Sequence, residues 1–391
     1  MGPLQGVAVI DFSMVVAGPF CAQILADLGA DVVKIEPPRG DTSRLLGPPF
    51  RDGITPFFAH FNRNKRSLAL DLQQEAGRAV ARRLARGADV LVHNFRPGVA
   101  ERLGIGYDEL AAENPRLVYA AVSGFGPDGP YADQPAYDMV IQALSGFMSI
   151  QGADGAPRLV RGLVADKSTG MTAAWGVLAA LFARERSGRG QRVDVPMLDA
   201  FSAFMLPDVL GDETFLPSVG PPAPRLDGVY RAWETADGHV VLLVIEDRQF
   251  EAICRVLARE ELIANPRYAG LLQRIAHAEE LFELLEGELR KWTTADLVER
   301  ARRFGVPLAP VHDVAGFLAD PQVAASGTVF EADDGAAGHL RLLRSPVRFA
   351  ATPSRFARRP PRLGEHSDEV LRERGYANDA IAALRAAGCI S

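Results

Sequence analysis

Apolar and polar positions in the first half of the chain switch repeatedly between a short-run pattern and a helical one. Residues 6–11 (GVAVID) and 30–36 (ADVVKIE) are apolar runs of strand length, and residues 19–28 between them carry helical spacing. The unit recurs. Residues 74–87 read as a helix, 88–93 (ADVLVH) as a strand, 107–113 as a short helix and 117–123 (LVYAAVS) as a strand. Strands alternating with helices predict an α/β fold, with a parallel sheet covered on both faces. Residues 137–152 read as one further helix. From 171 to 186 the apolar positions (Met171, Ala174, Trp175, Val177, Leu178, Leu181, Phe182) go nearly all round, which predicts a buried helix with Ser168 and Thr169 placed to cap it. Asp166 then falls on a short loop at the mouth of that helix.

Beyond residue 199 the pattern changes. Residues 206–224 hold five prolines and no period, as an extended linker would. Residues 229–245 suggest a hairpin turning at Asp237 and Gly238, followed by helices near 248–258, 276–290 and 293–304 and a strand at 307–311. This predicts a second, smaller α/β domain. Residues 355–362, rich in arginine and proline, mark another extended crossing, and the last helix lies near 378–387.

Composition narrows the classes. At 391 residues, two domains are expected. The three cysteines, Cys21, Cys254 and Cys389, are far apart and form no paired motif, which fits reduced thiols in the cytoplasm. No leader pattern and no apolar run of membrane-spanning length is seen, and a net charge of -6 gives no reason to expect nucleic acid.

Candidate chemistry sits between the strands. Residues 60–66 (HFNRNKR) and 94–98 (NFRPG) bring cations and amides to loops, and ligands of open α/β sheets gather beyond the carboxyl ends of strands. A solvated basic loop and a turn asparagine are the plain alternatives. Asp166 lies where unpaired helix N–H groups favour an anion, yet an aspartate there is also an ordinary cap. The first turn (SMVVAGPF) lacks G-x-G-x-x-G, and no G-x-S-x-G, H-E-x-x-H or phosphate-loop motif occurs. The seven histidines show no ligand spacing. Nicotinamide binding, serine hydrolysis and metal catalysis are thereby disfavoured, leaving a carboxylate beside loops suited to a phosphate-bearing ligand.

The chain resembles the class III coenzyme A transferases, the CaiB/BaiF family. The resemblance rests on GVAVIDFSMVVAGPFCAQILADLGADVVKIEPPRGDTSR, FNRNKRSLALDL, ADVLVHNFRPGVAERLGI, NPRLVYAAVSGFGPDGP, DKSTGM and ARERSGRGQRVDVPMLDA, in the family's order across residues 6–200. Looser matches follow at RRFGVPLAPVHDV and PPRLGEHSDEVL. The resemblance implies an interlocked homodimer, each subunit with a Rossmann-like large domain and a small inserted one. The expected boundaries are 1–200 for the first part of the large coenzyme A-binding domain, 201–225 for a linker, 226–318 for the small α/β domain, and 319–391 for the return to the large domain.

By the same resemblance Asp166 is the catalytic aspartate, passing through mixed anhydrides and an aspartyl-CoA thioester, and the expected activity moves coenzyme A from a succinyl-CoA-like donor to a carboxylic acid. Val15, Val16, Leu70, Asn94, Phe95 and Arg102 match coenzyme A contacts, and Tyr137 and Asp138 match a pair lining the active site. Oxalate-using formyl-CoA transferases carry glutamine where this chain has Val16, and arginine or lysine where it has Pro37, Gln73 and Pro135. Their glycine-rich lid is not visible in SVGPPAPRLDG. Formate and oxalate are therefore not expected, and Arg39, Arg63 or Arg66 remain for the coenzyme A phosphates. Arg44, Arg161 and Arg231 would suit a dicarboxylate substrate, unless they pair with acids or face solvent. No tightly bound cofactor and no metal is expected. Two rivals stay open: a 2-methylacyl-CoA racemase, whose histidine position holds Tyr137 here, and a non-catalytic acyl-CoA binding protein.

Overall fold

The computed structural model describes residues 2–48, 50–152, 156–217 and 230–391. The chain runs β1 (Ala8–Asp11), α1 (Ala17–Asp27), β2 (Asp31–Glu36), α2 (Pro56–Asn62), β3 (Lys65–Ala69), α3 (Glu75–Arg86), β4 (Val90–His93), α4 (Val99–Arg102), α5 (Tyr107–Glu113) and β5 (Val118–Ser123). It continues through α6 (Asp138–Leu144), α7 (Phe147–Ile150), α8 (Val164–Ser187), β6 (Arg192–Pro196) and α9 (Met197–Met205). The six strands form one sheet in the order β3-β2-β1-β4-β5-β6, and every neighbouring pair is parallel. This is the doubly wound, Rossmann-type order. Alternation along each strand feeds two cores. Val9, Val92 and Val122 join α1 and α8 on one face, while Ile10, Leu91 and Tyr119 join Leu84 of α3 and Val370 and Ile390 near the C-terminus on the other.

Two strands carry charges that hide them from a pattern of apolar runs. β3 begins inside the supposed basic loop, because its cations are buried by partners from other elements. Lys65 meets Asp11 at 2.9 Å, and Arg66 pairs with Asp31, Glu369 and Glu373. Residues 60–66 are therefore the end of α2, a turn and the start of a buried edge strand, not a solvated loop. β6 (RVDVP) pairs with β5 despite two charges on it.

Two helices also depart from expectation. The single helix expected over 137–152 is split into α6 and α7 at Gly146, whose φ of +80° suits glycine. α8 begins at Val164, so Asp166 lies inside its first turn rather than on a loop. Ser168 and Thr169 do not cap it. Their hydroxyls donate back to the Ala165 carbonyl at 3.0 and 2.7 Å, while the Asp166 N–H is taken by the Asp138 carboxylate at 2.9 Å. Nor is α8 buried all round, since Met171, Trp175 and Phe182 form an exposed stripe in this chain.

The chain divides into two compact units, Met1–Leu210 with Gly327–Ser391, and Gly211–Ser326. α9 occupies the first residues of the expected linker, and residues 218–229, including SVGPPAPRLDG, lie outside the described residues. The smaller unit holds β7 (Trp233–Glu234), β8 (His239–Leu242), α10 (Asp247–Val256), α11 (Leu271–Ala276), α12 (Ala278–Leu289), α13 (Thr294–Phe304), β9 (Leu308–Pro310), α14 (Val314–Ala319) and α15 (Pro321–Ser326). Its three strands are antiparallel, and the hairpin turn closes where Thr235 N–H donates to the Gly238 carbonyl at 2.9 Å. Its core gathers Trp233, Phe250, Ile253 and Leu297.

The returning chain adds the antiparallel pair β10 (Val329–Asp333) and β11 (His339–Leu343), then α16 (Ser367–Glu373) and α17 (Asn378–Ala386). Between them, residues 355–362 run without helix or strand and are pinned by Asn64. Its side chain accepts from the N–H groups of Ala357 and Arg358 at 2.7 and 2.9 Å and donates to the Arg355 carbonyl at 2.9 Å.

Candidate active site

β1 and β4 are neighbours from which the strand order runs outward in both directions, and a crevice opens beyond such a pair. The segments leaving the two strands are tied together. Asn94 accepts from the Met14 N–H at 2.9 Å and donates to the Met14 carbonyl at 2.8 Å. Its amide therefore holds backbone, and does not face outward as a free ligand group.

On the β2 side a cleft of about 900 Å³ opens at the carboxyl ends of β1 to β4, with Met14, Leu70 and Phe95 on its walls and Arg39, Arg78 and Arg102 among its lining residues. Phe95 is oriented by His93, whose Nδ1 accepts the Phe95 N–H at 3.2 Å and whose ring stacks on it at 5.4 Å. Burial pushes His93 down to about 3, so this imidazole stays neutral. Arg39 and Arg102 are exposed, with no ion-pair partner among the described residues. Arg78 pairs with Glu75 and donates to the Leu72 and Gln73 carbonyls.

Several of the expected residues do not line this cleft. Arg63 is buried against Asp27, and Arg66 is held by three acids. Arg44 is buried in a two-point pair with Glu36, at 2.8 Å for each bond, with its guanidinium 3.7 Å above the Phe58 ring. None of the three lines the cleft. Val16 is fully buried and does not line the cleft. Val15 precedes it with φ of +70° and gives its N–H to Asp41. Arg231 pairs with Glu286 and stacks over Trp233, whereas Arg161 is exposed with no partner among the described residues.

Asp166 stands where two helix starts meet. It occupies the first turn of α8, and the backbone N–H of Ala17, the first residue of α1, faces its carboxylate. Gly170, one turn further along α8, makes the approach possible, because a Cβ there would lie 2.6 Å from the Ala17 carbonyl oxygen. Asp138 supports the arrangement. It is buried, one carboxylate oxygen accepts the Asp166 N–H, and the other accepts from Gln142 at 2.6 Å. Gln142 in turn accepts from the Val160 N–H at 3.0 Å, which fixes the strand of chain leading into α8. The spacing of Asp138 and Gln142, four apart on one helix face, is the sequence signal for this clamp. Tyr137 precedes them, with its side chain 72% exposed.

Burial and the neighbouring Asp138 charge push the Asp166 carboxyl up to about 7, against the lowering effect of the Ala17 backbone N–H. Near neutral pH it therefore exists both as a carboxylate, able to attack a carbonyl carbon, and as an acid. Among the described residues no cluster of His, Cys, Asp and Glu is placed to hold a metal ion, and no helix is long and apolar enough to cross a membrane. All three cysteines are buried and free.

Comparison with known proteins adds three findings. The family model "CoA-transferase family III" matches residues 4–367. A succinate–glutarate CoA-transferase of Agrobacterium fabrum is 39% identical over 387 residues, 95% of each chain, and an acetyl-CoA:oxalate CoA-transferase of Acetobacter aceti is 40% identical over 330 residues, 83% of this chain and 84% of that one. The crystal structure of a CaiB/BaiF family protein from Brucella suis superposes with a TM-score of 0.83 at 34% identity, covering 95% of this chain and 99% of the other.

Proposed function

We propose, on the premise that this chain belongs to CoA-transferase family III and is a coenzyme A transferase, that Asp166 is its covalent nucleophile and that a dicarboxylate is its acceptor. One observation carries the first half: a partly accessible carboxylate, with a pKa of about 7, set against the first N–H of a second helix. The ionised Asp166 attacks the thioester carbonyl of a donor acyl-CoA. The C–S bond breaks, giving an acyl-aspartyl anhydride and coenzyme A thiolate. The thiolate attacks the aspartyl carbonyl, releasing the donor carboxylate and leaving an aspartyl-CoA thioester. An acceptor carboxylate displaces the thiolate to form a second anhydride, and the thiolate opens it at the acceptor carbonyl, which restores Asp166. Each step exchanges one activated acyl bond for another. The Ala17 N–H, facing the carboxylate, supports an oxyanion formed on the aspartyl carbon.

The cleft suits coenzyme A. Pro37 and Gln73 stand on its wall where the resemblance gives the oxalate-using formyl-CoA transferases arginine or lysine, but Arg39 lies two residues beyond the first and Arg78 five beyond the second, and both line the same cleft with Arg102. The phosphate-binding charge is thus moved along the chain, not lost. Arg161, free and shortly before α8, is the arginine left to meet the second carboxylate of a dicarboxylic acid, and the two transferases compared above are named for succinate, glutarate and oxalate. A second copy of the chain accounts for the exposed apolar side chains Tyr137, Trp175, Phe182 and Phe204, consistent with a homodimer.

The test is mass spectrometry of the protein after incubation with succinyl-CoA and a panel of carboxylic acids, with hydroxylamine trapping. An adduct on Asp166, absent from Asp166→Ala, together with a new thioester in solution, is the expected result. No adduct, but deuterium entering a 2-methylacyl-CoA from heavy water, would make the protein a racemase.

A further inference from the structure

The segment from Ser13 to Val15 carries no regular structure, yet a polar side chain from another element holds each of its three residues. The Ser13 N–H donates to Asp11 at 2.9 Å, and the Ser13 carbonyl accepts from Lys34 Nζ at 2.8 Å. Met14 is held at both its N–H and its carbonyl by Asn94. The Val15 N–H points between the two oxygens of Asp41, 3.2 Å from each.

Val15 is the odd member. Its φ is +70°, and it is the one β-branched residue in the left-handed region among the described residues. Branching at Cβ makes that conformation costly, so it persists only where the surroundings impose it. The start of α1 supplies the reason for imposing it. Val16 is the N-cap of α1 and offers no side-chain cap, so the first turn of α1 starts open with its leading N–H, from Ala17, facing Asp166, on a helix packed so close that a Cβ at Gly170 would lie 2.6 Å from the Ala17 carbonyl oxygen.

Asp41 is more than the cap of its own short turn. It accepts the Ser43 N–H at 2.8 Å as a cap would, but it also pairs at 2.8 Å with Lys34, and neither side chain is exposed at all. Well-packed apolar residues often serve stability as well as a buried ion pair does, so stability alone does not explain this one.

We propose that Asp41, seated by Lys34, is a positioning residue that holds Val15 in its left-handed conformation and so delivers the Ala17 N–H to Asp166. The proposal rests on the reading of Asp166 as the nucleophile.

The experiment compares wild type, Asp41→Asn and the double variant Asp41→Asn with Val15→Gly, using succinyl-CoA as donor and glutarate as acceptor. Readouts are the rate of adduct formation on Asp166, kcat, KM for the thioester and the thermal midpoint. Glycine adopts the left-handed conformation without the clamp. The expected result is a tenfold or greater fall in kcat for Asp41→Asn with KM changed less than threefold, and recovery of most of that loss in the double variant, which also melts at a higher temperature than Asp41→Asn. If Asp41→Asn does not fold, the double variant is still expected to fold and react. A kcat for Asp41→Asn equal to wild type overturns the proposal, and so does a double variant that is unfolded or no faster than the single one. Wild type that forms no adduct on Asp166 overturns the nucleophile assignment itself, which separates the two failures.

Discussion

Asp138 acts on Asp166 in two opposed ways. Its carboxylate accepts the Asp166 backbone N–H at 2.9 Å, which orders the first turn of α8, and its charge adds to burial in pushing the Asp166 side chain up to about 7. One acid therefore both places the other and restrains its ionisation.

The rate of attack should follow the ionised fraction of Asp166. With its carboxyl near 7, kcat/KM for acyl-CoA is expected to rise about tenfold per pH unit below neutrality and to level off above it. Asp138→Asn keeps an oxygen for the Asp166 N–H but removes the like charge, so the rising limb should move roughly one pH unit lower. A pH profile of both proteins checks this; an unmoved limb would show that Asp138 does not tune the nucleophile.

Stability should run against activity at the same residue. The folded-state pKa of Asp166 lies above its ordinary value of 3.8, so the folded chain holds the proton more tightly than the unfolded one, and stability falls as pH rises from about 4 to about 7. The whole shift corresponds to roughly 4 kcal/mol, and partial solvent access reduces it to about 2. Asp166→Asn is expected to be inactive yet about 2 kcal/mol more stable at pH 8, with the gain shrinking towards pH 4. Denaturant melts across that range give the answer.

Gly170 and Gly287 are both helical glycines with opposite expected responses to alanine. A Cβ at Gly170 would meet the Ala17 carbonyl oxygen at 2.6 Å, whereas nothing lies within 4 Å of one at Gly287. Gly170→Ala should cost about 2 kcal/mol and most of the activity, as α1 is pushed from Asp166. Gly287→Ala should gain about 0.5–1 kcal/mol through helix propensity and leave activity alone. Equal behaviour of the two would argue against close helix contact at the site.

The arginines divide into ligand-facing and structural sets. Arg39→Ala and Arg102→Ala are each expected to raise KM for acyl-CoA roughly tenfold with little loss of stability, because both are exposed in or beside the cleft without ion-pair partners among the described residues. Arg63→Ala strands Asp27 in the interior and should destabilise by about 3 kcal/mol without a selective KM effect. Steady-state kinetics beside thermal melts separates the sets.

The apolar stripe of α8 should be an interface between copies. Trp175 and Phe182 are 64% and 67% exposed in the single chain. Trp175→Glu is expected to shift the mass measured by light scattering from dimer towards monomer; a wild type that is itself monomeric would remove that reading.

Much of the large unit is legible in residue order. Apolar runs at β1, β2, β4 and β5 and helical spacing at α1 and α3 mark a doubly wound sheet, because burial on both faces leaves a local, periodic trace. Asp166 and the segment holding Phe95 can also be picked out, by their places beside a helix start and a strand end, whereas Arg102, at the end of α4, comes only from the family resemblance. The partners of charged residues leave no such trace. Lys65 and Arg66 look solvated until Asp11, Asp31 and Glu373, from distant parts of the chain, are brought against them, and that is why β3 is hidden and why Arg63, Arg66 and Arg44 look like ligand groups. The same holds for Asp41 and Val15, and for Asp138, Gln142 and Asp166. Periodicity is a property of neighbours in sequence, whereas the pairing of a buried charge and the strain of a single backbone angle are set by which strand ends and helix starts meet in space.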